Sequence, residues 1–284
     1  MNKRTSANIY VIFSILLGYA LSYTVAAVYP KGIETALLAN MLNIVNIVVI
    51  TVIPILLFAL SDRLSFVEMF KKVPARNWTK YIFTVPVLWS SATYLNSRVN
   101  ILLGKMGINM IQQLPPSSEP IAVIAGFILT CIAAPVLEEI FYRGVVLHLL
   151  KGYGKGAAVA VSAMLFALAH GSITVFVPPL VFGLVLGCVT LKSGSVFPAI
   201  LMHFGCNLIS WLLMSTEPGQ TFSVVAGIAT ILIGASGTVW AVIKLVKNAR
   251  KAGQVFAEAW GYIKNPLWLP VFANYIYINI MNHG

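Results

Sequence analysis

Apolar residues run along this chain in blocks of about 20, and the short segments between the blocks carry almost all of the charge. A helix needs about 20 apolar residues to cross ~30 Å of hydrocarbon. Blocks of that kind lie near 8–29, 35–60, 81–103, 121–142, 156–171, 174–191, 195–214 and 222–246, with 156–171 the shortest. They predict an all-α fold, a polytopic transmembrane helix bundle of about eight spans over residues 1–247. Between the blocks, Ser61–Lys80 is a loop of mixed charge, and Gly104–Pro120, with Leu114-Pro115-Pro116, is rich in turn formers. After residue 248 the pattern breaks down: Trp260, Tyr262, Trp268, Tyr275 and Tyr277 are scattered among apolar residues, and Pro266 and Pro270 interrupt any continuous helix. Such aromatics favour the headgroup region, so 248–284 is expected to be an interfacial tail.

Composition agrees with the pattern. With 59% hydrophobic and 10% charged residues in 284, the chain has more apolar surface than a soluble domain of its size can hide. The net charge of +11 does not point to nucleic acid, because the basic residues are not clustered on one solvated domain. With the N-terminus and C-terminus cytoplasmic, fifteen Lys and Arg fall on the inner side, among them Lys3, Arg4, Lys151, Lys192 and Lys244. Only Lys31, Arg98 and Lys105 fall outside, an asymmetry that follows the positive-inside rule and appears only if the span count is right. The expected location is therefore the cell membrane, multi-pass, and by analogy the modest size and short loops suggest a bacterial plasma membrane. The first apolar run extends past the 7–15 residues of a signal-peptide core and reads as a retained span. Cys131, Cys188 and Cys206 all lie in apolar runs and read as small buried side chains.

Chemistry is concentrated in 121–214. Of the eight acidic residues, only Glu138 and Glu139 sit inside an apolar run. A charge at the bilayer centre costs ~2.5–3.5 kcal/mol on insertion scales, and such groups usually face a partner or an internal cavity. Glu139 and Arg143 are four apart and share a helix face, so they can neutralise one another. Glu138 is turned about 100° from Glu139 and has no guanidinium opposite it, which leaves it free to exchange protons. His170 ends the next apolar run, and His203 and Asn207 lie four apart in the one after 174–191. A lone histidine in such a run is ordinarily a core imidazole bonded to a carbonyl. Together these residues supply a carboxylate base, two imidazoles and an amide, the set that water-activated amide hydrolysis needs. His148 and His283 lie near segment ends and stand apart from the set.

Read in order, Glu138-Glu139-x-x-x-Arg143, Phe166-x-x-x-His170 and His203-x-x-x-Asn207 resemble the motifs of the CAAX protease and bacteriocin-processing (Abi) family of intramembrane proteases. The resemblance implies an eight-helix fold, or nearly so, and hydrolysis of a peptide bond in a hydrophobic, lipidated or otherwise membrane-associated peptide. It implies Glu138 as the general base with His170 beside it, His203 and Asn207 at the oxyanion, and Glu139 with Arg143 as a supporting pair. Members are often called metalloproteases; a zinc ion, if present, would take Glu138, His170 and His203. A metal-free, glutamate-activated water is the other reading, since the His-Glu-x-x-His helix is absent and Asn is a poor zinc ligand.

Other classes fit less well. An aspartyl mechanism needs two intramembrane Asp, and Asp62, in a loop, is the only Asp in the chain. Lys192-Ser193-Gly194-Ser195 does not match the Gly-x-Ser-x-Gly of a serine mechanism. A carrier would be expected to show a repeat, and the polar residues lie in the second half alone. The remaining alternative is a non-catalytic membrane regulator or bacteriocin-immunity protein that keeps the same fold.

Overall fold

The computed structural model describes residues 66–108, 119–215, 220–264 and 266–283, with scattered helical positions between 12 and 59. The expected spans 8–29 and 35–60 therefore lie largely outside the described residues. Among those residues every regular element is helical, and the strand-like pairing is an isolated antiparallel bridge between Phe70 and Ser195. The principal helices are α1 (Trp78–Lys105), α2 (Pro120–Leu150), α3 (Lys155–Leu168), α4 (Val177–Ser193), α5 (Phe197–Ser215), α6 (Gln220–Lys247), α7 (Ala249–Ile263) and α8 (Leu269–His283). Three of them are long and apolar enough to cross a membrane, over Pro120–Leu150, Phe197–Met214 and Val224–Lys247. The apolar helices α3 and α4 are shorter. At 1.5 Å per residue, the 14 residues of α3 rise about 21 Å.

Helix α1 packs against α4, α5 and α6, while α3 packs against α4 and α7. Helix α2 lies against α5. The core they share includes Val146, Leu147, Phe166, Leu186, Met202 and Cys206. Small residues set the closest approaches, as is common where helices have no hydrophobic drive to associate and rely on packing. A Cβ at Gly183 of α4 would lie 2.7 Å from the Ala163 Cα of α3. Gly234 of α6 sits equally tight against the Ser90 carbonyl and Tyr94 of α1.

Helix α2 is longer than the apolar block that predicts it. It continues past residue 142 to Leu150, with Arg143 inside a helix of 31 residues. The reason is local: Glu139, one turn back, neutralises the guanidinium, so the charge does not end the helix. Two stretches of α2, Ile128–Ala133 and Ile140–Val146, are wound as π-helix. The first ends just before Pro135, whose missing N–H and bulky ring do not fit the tighter α turn. The two stretches bracket the short α-helical segment Ala134–Glu139 that carries both carboxylates. π-turns of this kind recur at functional sites.

Pro266 separates α7 from α8 as the sequence predicts, whereas Pro270 sits in the first turn of α8, where no intrahelical donor is required. The tail touches both ends of α3. Glu258 approaches Gly154 at its start, and Asn279 bonds the turn after its last residue.

The glycine contact gives a direct test of the packing. Gly183→Val should destabilise the protein by about 1–3 kcal/mol through overpacking, read as a lower unfolding temperature in detergent. Gly227→Ala, which adds a methyl group to open space, should leave that temperature unchanged or slightly raised.

Candidate active site

Glu139 is completely buried, and two groups share one of its oxygens. Its Oε1 lies 2.9 Å from Arg143 Nη1 and accepts a hydrogen bond of 2.9 Å from His203 Nδ1. The first partner is one turn along α2 and the second comes from α5, so a single carboxylate oxygen fixes how these helices meet. Oε2 has no hydrogen-bond partner, and none of the Arg143 nitrogens has an aligned acceptor, so the Arg143 contact is one of charge more than of hydrogen-bond geometry. The guanidinium carbon instead lies 4.4 Å from the centre of the Phe166 ring and 5.9 Å from that of Tyr142. A desolvated cation over aromatic faces gains about 2 kcal/mol.

The bond to Glu139 decides the orientation of His203. With the Nδ1 proton given to Glu139, Nε2 faces Glu138, whose Oε2 is 3.9 Å away. The two adjacent carboxylates thus flank the two nitrogens of one imidazole. Only one of them remains open, for the Glu138 side chain is 19% exposed and that of Glu139 0%.

Asn207 lies one turn beyond His203 on α5, and its Nδ2 donates to the Thr130 carbonyl at 2.8 Å. Thr130 belongs to the first π-helical stretch of α2. That bond joins α5 to α2 a second time and leaves the second amide hydrogen of Asn207 uncommitted.

His170 is placed differently. It is exposed, in the turn that ends α3, and its Nδ1 donates to the Phe166 carbonyl at 2.8 Å, which leaves Nε2 able to accept a proton. It meets the other residues through Phe166, whose ring packs edge-on against His170 at 4.9 Å and His203 at 5.7 Å. The turn after it is held from two sides. Asn279 of α8 accepts from Ile173 N at 2.7 Å and donates to the Gly171 carbonyl at 3.3 Å. Asn100 of α1 donates to the Thr174 carbonyl at 2.9 Å. Gly171 takes a positive φ of 72°, a conformation that suits a residue without Cβ.

The structure therefore brings Glu138, Glu139, Arg143 and His203 into one contact cluster, with Asn207 a turn away and His170 joined through an aromatic ring. Sequence reasoning assigned no role to Phe166, Asn100 or Asn279. Phe166 had a signal, its position four residues before His170 in the same motif. The asparagines had none, because they act across more than 70 residues of chain. No group of three His, Cys, Asp or Glu among the described residues is placed to hold a metal ion. The set Glu138, His170 and His203 does not fit a zinc site as it stands, since His170 reaches the others only by way of Phe166.

Residues 120–209 match the family model described as Rce1-like, type II CAAX prenyl endopeptidase. The matched segment covers roughly a third of the chain and contains all six site residues, in agreement with the resemblance drawn from the three motifs. No curated protein and no solved structure matches the chain. At the coarse level of class, this segment is similar to an endopeptidase family.

The unequal settings of the two carboxylates predict unequal costs. Glu139→Gln strands the buried Arg143 cation and should cost about 3–5 kcal/mol of stability. Glu138→Gln, at a partly open position with no short hydrogen bond, should change stability by less than about 1 kcal/mol. Thermal unfolding of the two purified variants side by side checks the difference; equal losses would contradict it.

Proposed function

We propose that the protein is an intramembrane endopeptidase of the CAAX protease and bacteriocin-processing type, which cleaves a hydrophobic or lipidated peptide with water activated by Glu138. The observation that carries this reading is the imidazole of His203 held between two carboxylates, one buried and committed, the other open. In the proposed reaction the Glu138 carboxylate takes a proton from water as its oxygen attacks the scissile carbonyl carbon. The bare Nε2 of His170 accepts a hydrogen bond from the same water. The negative charge that develops on the carbonyl oxygen is met by His203 Nε2–H and the uncommitted amide hydrogen of Asn207. That role requires a proton on each nitrogen of His203, one directed to Glu139 and the other to the carbonyl oxygen. Glu138 then returns its proton to the leaving amine as the C–N bond breaks. Glu139 and Arg143 do not touch the substrate; they hold His203 and the helix in place.

The membrane setting belongs to the same proposal. Eight spans with both termini cytoplasmic, in a bacterial plasma membrane, account for the fifteen-to-three distribution of basic residues. The three long apolar helices support part of that count.

The activity is tested with the full chain in liposomes, supplied in parallel with a prenylated C-terminal tail peptide and a leader-bearing hydrophobic peptide. Wild-type protein should cleave one of them. Glu138→Gln should lower turnover about 100- to 10,000-fold, and Asn207→Ala about 100-fold. Full turnover by a folded Glu138→Gln variant would remove Glu138 as the base. For topology, single cysteines introduced at Lys151 and Lys192 should be labelled by an impermeant thiol reagent only from the inner face of vesicles, and one at Lys105 only from the outer face. Labelling of all three from one face would overturn the eight-span arrangement.

A further inference from the structure

Toward the Lys151 end of α2, Arg143 lines a second space. It is a cavity of about 190 Å³ that includes none of Glu138, Glu139, His170, His203 or Asn207 among its walls. Its walls are α2, the last turn of α4 with the following residues 194–196, and the stretch 68–71. That stretch is tied to the end of α4 by the Phe70–Ser195 bridge and by Val196 N donating to the Met69 carbonyl at 2.8 Å. The space greatly exceeds the roughly 15 Å³ that one water needs, so a polyatomic group fits.

Its polar lining is mostly of hydrogen-bond donors, with Glu68 as its one carboxylate. Thr190 is buried, and its hydroxyl oxygen has no hydrogen-bond partner. A helical Ser or Thr ordinarily returns its hydroxyl to the carbonyl four residues back. Thr84, Ser210 and Thr230 do so here, and Thr190 does not. Arg143, also buried and paired in charge with Glu139 at 2.9 Å, has guanidinium nitrogens without an aligned acceptor. Lys71 and Lys151 are exposed on the same lining and form no ion pair among the described residues. Glu68, His148 and Ser195 complete the polar set; Glu68 and His148 are each already engaged in an interaction of their own, and Ser195 Oγ accepts from Phe197 N at 3.3 Å. Donors from three segments therefore converge on one space. Buried donors of this kind lose about 1–3 kcal/mol each when left unmet.

We propose that this cavity is a binding site for a phosphate group, with Arg143, Thr190, Lys71 and Lys151 as its donors. A phosphate supplies several acceptor oxygens and up to two negative charges, which two lysines, the guanidinium N–H groups that Glu139 leaves without an aligned acceptor, and a hydroxyl match better than a cation would. The group comes either from free phosphate or from the headgroup of an anionic lipid at the Lys151 end of the helix.

The test uses the full chain and does not depend on peptidase activity. In detergent, thermal unfolding and calorimetric titration with sodium phosphate are compared with sodium chloride at matched ionic strength. In phosphatidylcholine nanodiscs, unfolding is compared with and without phosphatidic acid. The wild type should be stabilised saturably in at least one arm; phosphate alone identifies the soluble source, phosphatidic acid alone the lipid source. The double variant Lys71→Ala, Lys151→Ala should bind about tenfold or more weakly. Thr190→Val should bind severalfold more weakly, and Thr190→Ser, which keeps the hydroxyl, should bind as the wild type does. No stabilisation in either arm would overturn the site. So would loss in the lysine variant with full retention in Thr190→Val, because that pattern marks surface charge alone.

Discussion

The arrangement depends on a carboxylate that has no access to water. Glu139 is fully buried between α2 and α5, and its charge is tolerable there only because Arg143 and His203 both reach the same oxygen. Removing one partner from a buried ion cluster is far more costly than never having built it. Three geometric facts follow from that constraint. Arg143 must lie one turn from Glu139, α5 must present His203 at the level of Glu139, and His203 must turn Nδ1 inward. Helix packing alone would not select these relations, since aliphatic side chains tolerate a sliding register much better than an ion triad does. The triad therefore acts as the register pin of the two helices, and Asn207 on Thr130 acts as a second pin further along.

The same constraint divides the labour between two residues that are chemically identical. Adjacent positions on a helix point about 100° apart, so the neighbour of a buried, committed carboxylate faces another direction. Here that direction is partly open, and it is the side on which His203 Nε2 stands. Identical side chains thus acquire different tasks from their surroundings, as paired carboxylates do in other hydrolytic sites. The π-helical stretches on either side give α2 a geometry that a plain α-helix lacks: a wider turn before Pro135 and another across Arg143.

Much of this was legible in the sequence, for physical reasons. Charge is so costly in an apolar block that Glu138, Glu139 and Arg143 stand out, and a spacing of four makes the Glu139–Arg143 pair predictable from helix geometry alone. The spacing of His203 and Asn207 placed them on one face in the same way. What could not be read was the partner of His203. Its bond to Glu139 spans 64 residues and depends on how α5 packs on α2, which no local pattern encodes. The continuation of α2 to Leu150 was hidden for the opposite reason: Arg143 and His148 lower the apolar character of the segment, although the arginine's charge is neutralised inside it. The two tail helices were obscured because α7 and α8 are short, aromatic-rich and separated by Pro266.

The two imidazoles are supported by separate means. His203 depends on the buried triad, whereas His170 sits in a turn whose backbone is held by Asn279 of the tail and, through Thr174, by Asn100 of α1. Neither support reaches the other through hydrogen bonds in the described residues. What they share is Phe166, which packs edge-on against both rings, takes the Arg143 cation on its face and gives its own carbonyl to His170. An aromatic ring suits that position because it is rigid, has only two side-chain torsions and can meet a cation and two imidazoles at once. A leucine of similar bulk would fill the space without offering the cation a face. The relation between the two histidines is thus set by one hydrophobic side chain that takes no part in proton transfer, and the polar residues around it can serve a single reaction only while that ring holds its place.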